Sequence, residues 1–219
     1  MVKNIILFMS VFIAVSSPAS FASEGTKLNP KYHKIIVTKR NNDIAEVSFY
    51  SFKDNGFSVA GLNLSIEVVI DKPAKDVWPH FKNFNTWTNK TGYYYWDDTT
   101  GKPGIFGDMQ GKVVRLGPKE GGGLEYVVHT VIPNKLIGKK EIPRERDGVI
   151  SSGDHAFILT ENNGKTLITM MMQHESKASH KTEDELLKLW MGFIPRLNQE
   201  NNYFLDDFIR DLRAAVKAG

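Results

Sequence analysis

Between Leu62 and Trp87 the chain reads LNLSIEVVIDKPAKDVWPHFKNFNTW, and three structural periods follow one another without a break. Ser65 to Ile70 is rich in β-branched and apolar residues, which favours a strand. Asp71 and Pro73 then supply a helix-start signal, after which Val77, Trp78 and Phe81 fall at helical spacing. Pro79 lies inside this helix and should shorten it, because proline removes a backbone donor. Phe84 and Trp87 follow at once as a second short apolar turn.

Downstream the pattern changes to short strands. Tyr93-Tyr94-Tyr95-Trp96 suits a strand or a strand-edge loop, and the glycines of Gly101 to Gly107, with Pro103, punctuate the chain after it. Gln110 to Leu116, Leu124 to Ile132, Leu136 to Ile142, Asp154 to Thr160 and Leu167 to His174 are further strand candidates. Asn162-Asn163-Gly164 separates the last two as an Asn-Gly hairpin turn. Strands joined by short turns with no intervening helix predict a meandering antiparallel sheet.

The final element predicted is a long helix. Thr182 and Glu185 have capping-box spacing, acidic Glu183, Asp184 and Glu185 open the helix, and basic Arg210, Arg213 and Lys217 close it. Its apolar stripe runs through Leu186, Leu189, Trp190, Phe193, Leu197, Phe204, Phe208, Leu212 and Val216. Gly192 and Pro195 predict a bend, since the proline ring clashes with the preceding turn. Glu200 and Asn201 fall where the stripe calls for apolar residues; they either reach solvent or, for Asn201, anchor a ligand.

This order resembles the SRPBCC superfamily, the START-like or helix-grip proteins that include polyketide cyclase/dehydrase-like members. The resemblance spans residues 62 to 218 and rests on Pro73, Val77 and Trp78, on Gly107-Asp108 at the entry to a strand, and on the terminal helix. It implies an α+β fold in which an antiparallel β-sheet wraps around a long C-terminal helix, with two short helices after the first core strand. It also implies an apolar cavity between sheet and helix. Residues 62–219 would form that domain, preceded over 23–61 by an extension in which Ile35 to Val37 and Val47 to Phe52 form an added hairpin.

Lys3, the apolar run from Ile5 to Val15 interrupted by Ser10, and the small residues ending Ser20-Phe21-Ala22 are the parts of a secretory signal peptide over residues 1–22. The run is about half the roughly 20 residues that a spanning helix needs. No cysteine stands at the cleavage position, which excludes a bacterial lipoprotein anchor. An exported chain without cysteine relies on its core, which suits the bacterial periplasm, and the rest of the chain is long enough for one domain. With 28 basic and 25 acidic residues and no basic stripe, nucleic acid has little electrostatic attraction to it.

Alternation in the strands nominates the interior residues. Ile168, Met170, Met172 and His174 share one face, which the resemblance turns inward; His155, Phe157 and Leu159 share a face, as do Leu124, Tyr126 and Val128. The expected ligand-binding residues are therefore Tyr126, Phe157, Met170, Met172, Trp190, Phe193, Leu197 and Asn201. His155, His174 and Glu125 are the acid/base candidates, although histidines on an apolar face are often structural.

No metal is expected, since His33, His80, His129, His155, His174 and His180 include no HExxH. No GxSxG elbow, thiol nucleophile or cofactor motif occurs, and the glycines of 117–123 lie between strands and not before a helix. The expected function is binding of a hydrophobic small molecule such as a lipid, isoprenoid or aromatic metabolite. A cyclase/dehydrase-like enzyme and a protein-interaction module are the alternatives.

Overall fold

Three two-residue turns set the course of the sheet. Asn55-Gly56, Asp147-Gly148 and Asn163-Gly164 have positive φ at both residues, 47° and 84°, 51° and 70°, and 51° and 73°. Paired left-handed residues of this kind match the twist of the strands they join, and Asn, Asp and Gly tolerate them best. The computed structural model that contains them describes residues 30–40, 43–84, 94–97, 102–118, 123–192 and 209–218. Residues 1–22, expected as the leader, lie outside the described residues.

The strands, in chain order, are β1 (Lys31–Arg40), β2 (Asp43–Asp54), β3 (Phe57–Ile70), β4 (Tyr94–Asp97), β5 (Lys102–Pro103), β6 (Val113–Gly117), β7 (Leu124–Ile132), β8 (Leu136–Glu141), β9 (Arg144–Arg146), β10 (Val149–Asn162) and β11 (Lys165–Ala178). Among the described residues they form one antiparallel sheet in the order β1-β2-β3-β11-β10-β8-β7-β6-β4-β5, with β9 attached to β10. The helices are α1 (Ala74–Phe81), α2 (Glu183–Met191) and α3 (Ile209–Ala218). The architecture is α+β, an antiparallel sheet with helices that include a C-terminal one.

The first core strand starts at Phe57 and not at Ser65, because β2 pairs with β3 from Phe57 through Glu67. The strand expected from Gln110 starts at Val113 instead; residues 110 and 111 form a turn after a 3-10 helix at Phe106–Asp108. That 3-10 helix is docked on the end of α1, where the Gly107 amide donates to the Lys82 carbonyl over 3.0 Å. A Cβ at Gly107 would lie 2.5 Å from that of Lys82, so the close approach requires glycine.

One face of the sheet carries the core. Ile66 of β3 is paired with Met170 of β11, which is paired with Phe157 of β10, which is paired with Ile137 of β8. The four side chains are between 0% and 3% exposed. Phe81, Phe84, Tyr95, Phe106 and Phe157 add a ring cluster with centroids 4.8 to 6.3 Å apart.

The helices are tied to this face by distant residues. Pro73 is the N-cap of α1 and offers no side-chain acceptor; the Ala74 amide instead donates to Glu161 Oε2, from the β10–β11 hairpin, over 2.9 Å. Asp71, expected to help start the helix, pairs with Lys165 at 3.0 Å. Helix α2 packs on β2 and β3 and carries the expected capping box, with the Glu185 amide donating to Thr182 Oγ1 over 3.2 Å. In α3, Arg213 clamps Asp43 with two hydrogen bonds of 2.7 and 2.6 Å and donates to the Val69 carbonyl over 2.9 Å. The last helix is thereby pinned to the start of β2 and the end of β3.

The apolar stripe of α2 departs from the expected one. Leu186 and Leu187 are buried, whereas Leu189 is 54% exposed. At 100° per residue, a face shared by Leu186, Leu187 and Trp190 turns Leu189 towards solvent. Gly192 caps α2 with φ −63° and ψ −17°. Pro195 and the expected bend beyond it lie outside the described residues, as do Phe193, Leu197, Glu200, Asn201, Phe204, Phe208 and the turn at Trp87. No helix among the described residues is long and apolar enough to cross a membrane.

Candidate functional site

Four polar side chains interrupt the apolar face where β8, β10 and β11 adjoin: Lys139, Glu141, His155 and His174. They share that face because each lies an even number of residues from a core neighbour on its own strand: Ile137 on β8, Phe157 on β10, Met170 on β11. Lys139 is the direct cross-strand partner of His155, and His155 of Met172. Glu141 is the partner of Tyr126 on β7. Lys139, Glu141 and His155 are only 1%, 2% and 4% exposed.

The Lys139 amine is surrounded by rings. It donates to Tyr95 Oη over 2.8 Å, and its Nζ stands 3.6 Å from the Tyr126 ring centroid, 4.7 Å from that of Tyr95, 5.6 Å from that of Phe106 and 5.8 Å from that of Phe157. Ring faces attract a cation by about 2 kcal/mol at a desolvated site, while burying an ammonium costs several. Burial therefore wins and carries the Lys139 pKa well below the ordinary lysine value, with the Glu141 charge acting against it. The same burial raises the Tyr126 hydroxyl pKa, so that side chain stays a neutral phenol.

Glu141 is the carboxylate of the cluster. Burial pushes its carboxyl up, but the hydrogen bond and charge of His174 and those of Arg144 together bring it below the usual carboxylate value. Arg144 Nε donates to Glu141 Oε1 over 3.0 Å, and His174 Nδ1 stands 3.5 Å from Oε2. That reach depends on Gly153, the residue of β10 opposite His174. A Cβ at Gly153 would come 2.7 Å from His174 Nδ1, so the imidazole lies across the space that a side chain would fill.

His155 sits between these two groups. Its ring is 4.8 Å from that of His174, 5.3 Å from Tyr126 and 6.2 Å from Phe157. Neither ring nitrogen has a hydrogen-bond partner, although both are buried. Burial, then the neighbouring Lys139 and His174, push its pKa well below the ordinary histidine value and keep the imidazole neutral. A buried polar atom without a partner costs about 1–3 kcal/mol, so the sequence retains something here that folding alone would remove.

The sequence-nominated residues divide. Tyr126, Phe157, Met170 and Met172 are buried on this face, His155 and His174 lie among them, and Trp190 of α2 stands 5.7 Å from the His174 ring. Glu125 does not join them. It is exposed on the opposite face, because it precedes inward Tyr126 by one residue. Phe193, Leu197 and Asn201 are outside the described residues.

Lys139 and Glu141 were not singled out in the sequence, and Tyr95 stood out only as part of the aromatic run from Tyr93 to Trp96. β8 carries apolar residues at both parities, Leu136 and Ile137, so periodicity alone did not say which face Lys139 and Glu141 take. The strand pairing to β10 decides it. Among the described residues, no group of three or more His, Asp or Glu side chains is placed to hold a metal ion.

No family model matches the chain, and no curated protein matches it. Solved structures do resemble it. A START superfamily protein from Mycobacterium smegmatis shares 14% identity over 71% of this chain and 97% of its own, with a TM-score of 0.43. The Zhui aromatase/cyclase from a Streptomyces species shares 15% identity over 72% and 94%, with a TM-score of 0.44. A Rhodobacter sphaeroides protein shares 14% identity over 78% and 98%, with a TM-score of 0.45. Of these three, two are described as a START superfamily protein and an aromatase/cyclase.

Proposed function

We propose that this chain is a START-like binding protein that takes a hydrophobic small molecule against the inner face of its sheet, beneath the C-terminal helical segment. One observation carries this reading: His155, 4% exposed on an otherwise apolar face, has two ring nitrogens without partners. Small-molecule sites combine apolar walls with a few convergent polar groups that fix orientation, and the cluster of Lys139, His155, Tyr95 and Tyr126 has that composition. Apolar burial supplies the affinity, at about 0.8 kcal/mol per methylene hidden from water. Met170 and Met172 give the wall soft side chains that adapt to an irregular ligand. The leader-like residues 1–22 support export, so the ligand would be met in the periplasm or outside the cell.

The experiment is native mass spectrometry of protein purified from its own host, followed by organic extraction. A co-purifying apolar molecule of defined mass is the expected result. Empty protein that also fails to bind any member of a panel of lipids and polycyclic aromatics would overturn the reading.

The contact between Glu141 and His174 favours a second reading, an enzyme of cyclase type in which this pair moves a proton. It predicts turnover of a bound ligand that the conservative variant H174Q abolishes without loss of binding. Ligand recovered unchanged from both proteins would leave binding alone.

A further inference from the structure

Lys139 raises a question that binding of an apolar molecule does not answer. An alkyl side chain would fill the same space among four aromatic rings without bringing a polar head into the core. Its amine has one polar partner, Tyr95 Oη at 2.8 Å, while an ammonium group offers three donors. Across the strand pairing stands His155, with both ring nitrogens free. An amine, an unprotonated imidazole and two phenols thus converge on one apolar patch. Glu141, the nearby carboxylate on the same strand, is already held by Arg144 and His174.

We propose that Lys139 is an imine-forming nucleophile and that the site takes an apolar aldehyde or ketone, which it holds covalently and reversibly. The inference rests on the apolar-ligand reading above and names the functional group of that ligand. The neutral amine adds through its lone pair to the carbonyl carbon, and the C=O π pair moves to oxygen. His155 takes the proton from the attacking nitrogen and returns it to that oxygen. Tyr95, bonded to the amine, is placed to donate to the same oxygen as charge builds there. The carbinolamine then loses its hydroxyl and the remaining N–H proton as one water molecule, leaving a C=N bond to Nζ. Amine plus carbonyl gives imine plus water, with no oxidant or reductant and no net proton change.

Desolvation activates a lysine for this chemistry because only its neutral form carries the lone pair. The burial that lowers the Lys139 pKa does this. The surrounding rings of Tyr95, Tyr126, Phe106 and Phe157 also keep bulk water from hydrolysing the product.

The test uses cinnamaldehyde as probe and sodium cyanoborohydride as trap at pH 7, with peptide mapping of the wild-type protein by mass spectrometry. Reductive trapping should mark Lys139 at least about tenfold faster than any surface lysine, since those remain protonated at this pH. K139R and K139M should lose that mark, the first because a guanidinium does not become a neutral amine. H155Q should slow it by at least about tenfold if the imidazole moves the proton.

Cinnamyl alcohol, which cannot form an imine, is titrated in parallel against tryptophan fluorescence. If the alcohol binds while Lys139 stays unmarked, the imine is refuted and the apolar-ligand reading stands. If the alcohol fails to bind and only surface lysines are marked, both are refuted. Because the peptide map reads the wild-type chain, the result does not depend on any variant folding.

Discussion

Replacing Lys139 with methionine should make this protein more stable, although it removes a buried hydrogen bond. Methionine has nearly the length and flexibility of lysine without the charge, so the aromatic cage stays filled. A lysine that becomes neutral on folding costs about 1.4 kcal/mol for each pH unit between the working pH and its unfolded value of about 10.4. At pH 7 that amounts to as much as about 5 kcal/mol when the amine is fully deprotonated in the folded state. Against this stand the lost bond to Tyr95 Oη, about 1 kcal/mol, and the poorer environment left for that hydroxyl, about 1–3 kcal/mol.

With the amine fully deprotonated in the folded state, the balance favours K139M by about 1–3 kcal/mol at pH 7. The sign with pH follows from the direction of the shift. Burial depresses the folded-state pKa of Lys139, so the unfolded chain binds the proton more tightly, and the wild-type protein gains stability as pH rises towards 10.4. The advantage of K139M should therefore shrink steadily between pH 7 and 9.5. Urea denaturation of both proteins at several pH values measures it. Equal stability at pH 7 together with parallel pH dependence would show that the amine keeps its charge in the folded protein and would refute the reasoning.

Three further outcomes follow from other contacts. His155 is neutral and its folded pKa depressed, so its contribution is intact above about pH 6.5 and is lost below it at up to about 1.4 kcal/mol per pH unit; H155L should flatten the acid limb of a stability–pH curve, and an unchanged limb would exclude His155 as its source. G153A should cost about 1–3 kcal/mol and push His174 away from Glu141, because its Cβ would stand 2.7 Å from Nδ1; an unmoved His174 imidazole resonance in the NMR spectrum would contradict the close approach. R213M should cost about 1–3 kcal/mol, less than a fully buried pair because Arg213 is 41% exposed, and should raise amide exchange in α3 before the sheet; uniform loss of protection would mean that the clamp on Asp43 does not hold that helix specifically.

The sequence by itself determined the elements whose signals are local. The Asn163-Gly164 turn, the capping box of Thr182 and Glu185, and the alternation that puts Met170 and Met172 on one face of their strand all follow from backbone sterics and periods within a few residues. It also nominated His155 and His174, because each sits among apolar residues at period two. Only the tertiary structure decided what lies beside them. Lys139 and Glu141 occupy a strand with apolar residues at both parities, and their face is set by pairing with β10. The cap of α1 comes from Glu161, a residue 87 positions away in the chain, and the anchor of α3 from Asp43, 170 positions from Arg213. No local period encodes such contacts. They form because strands remote in sequence are brought into one sheet, and with them the amine and carboxylate of β8 and the imidazoles of β10 and β11.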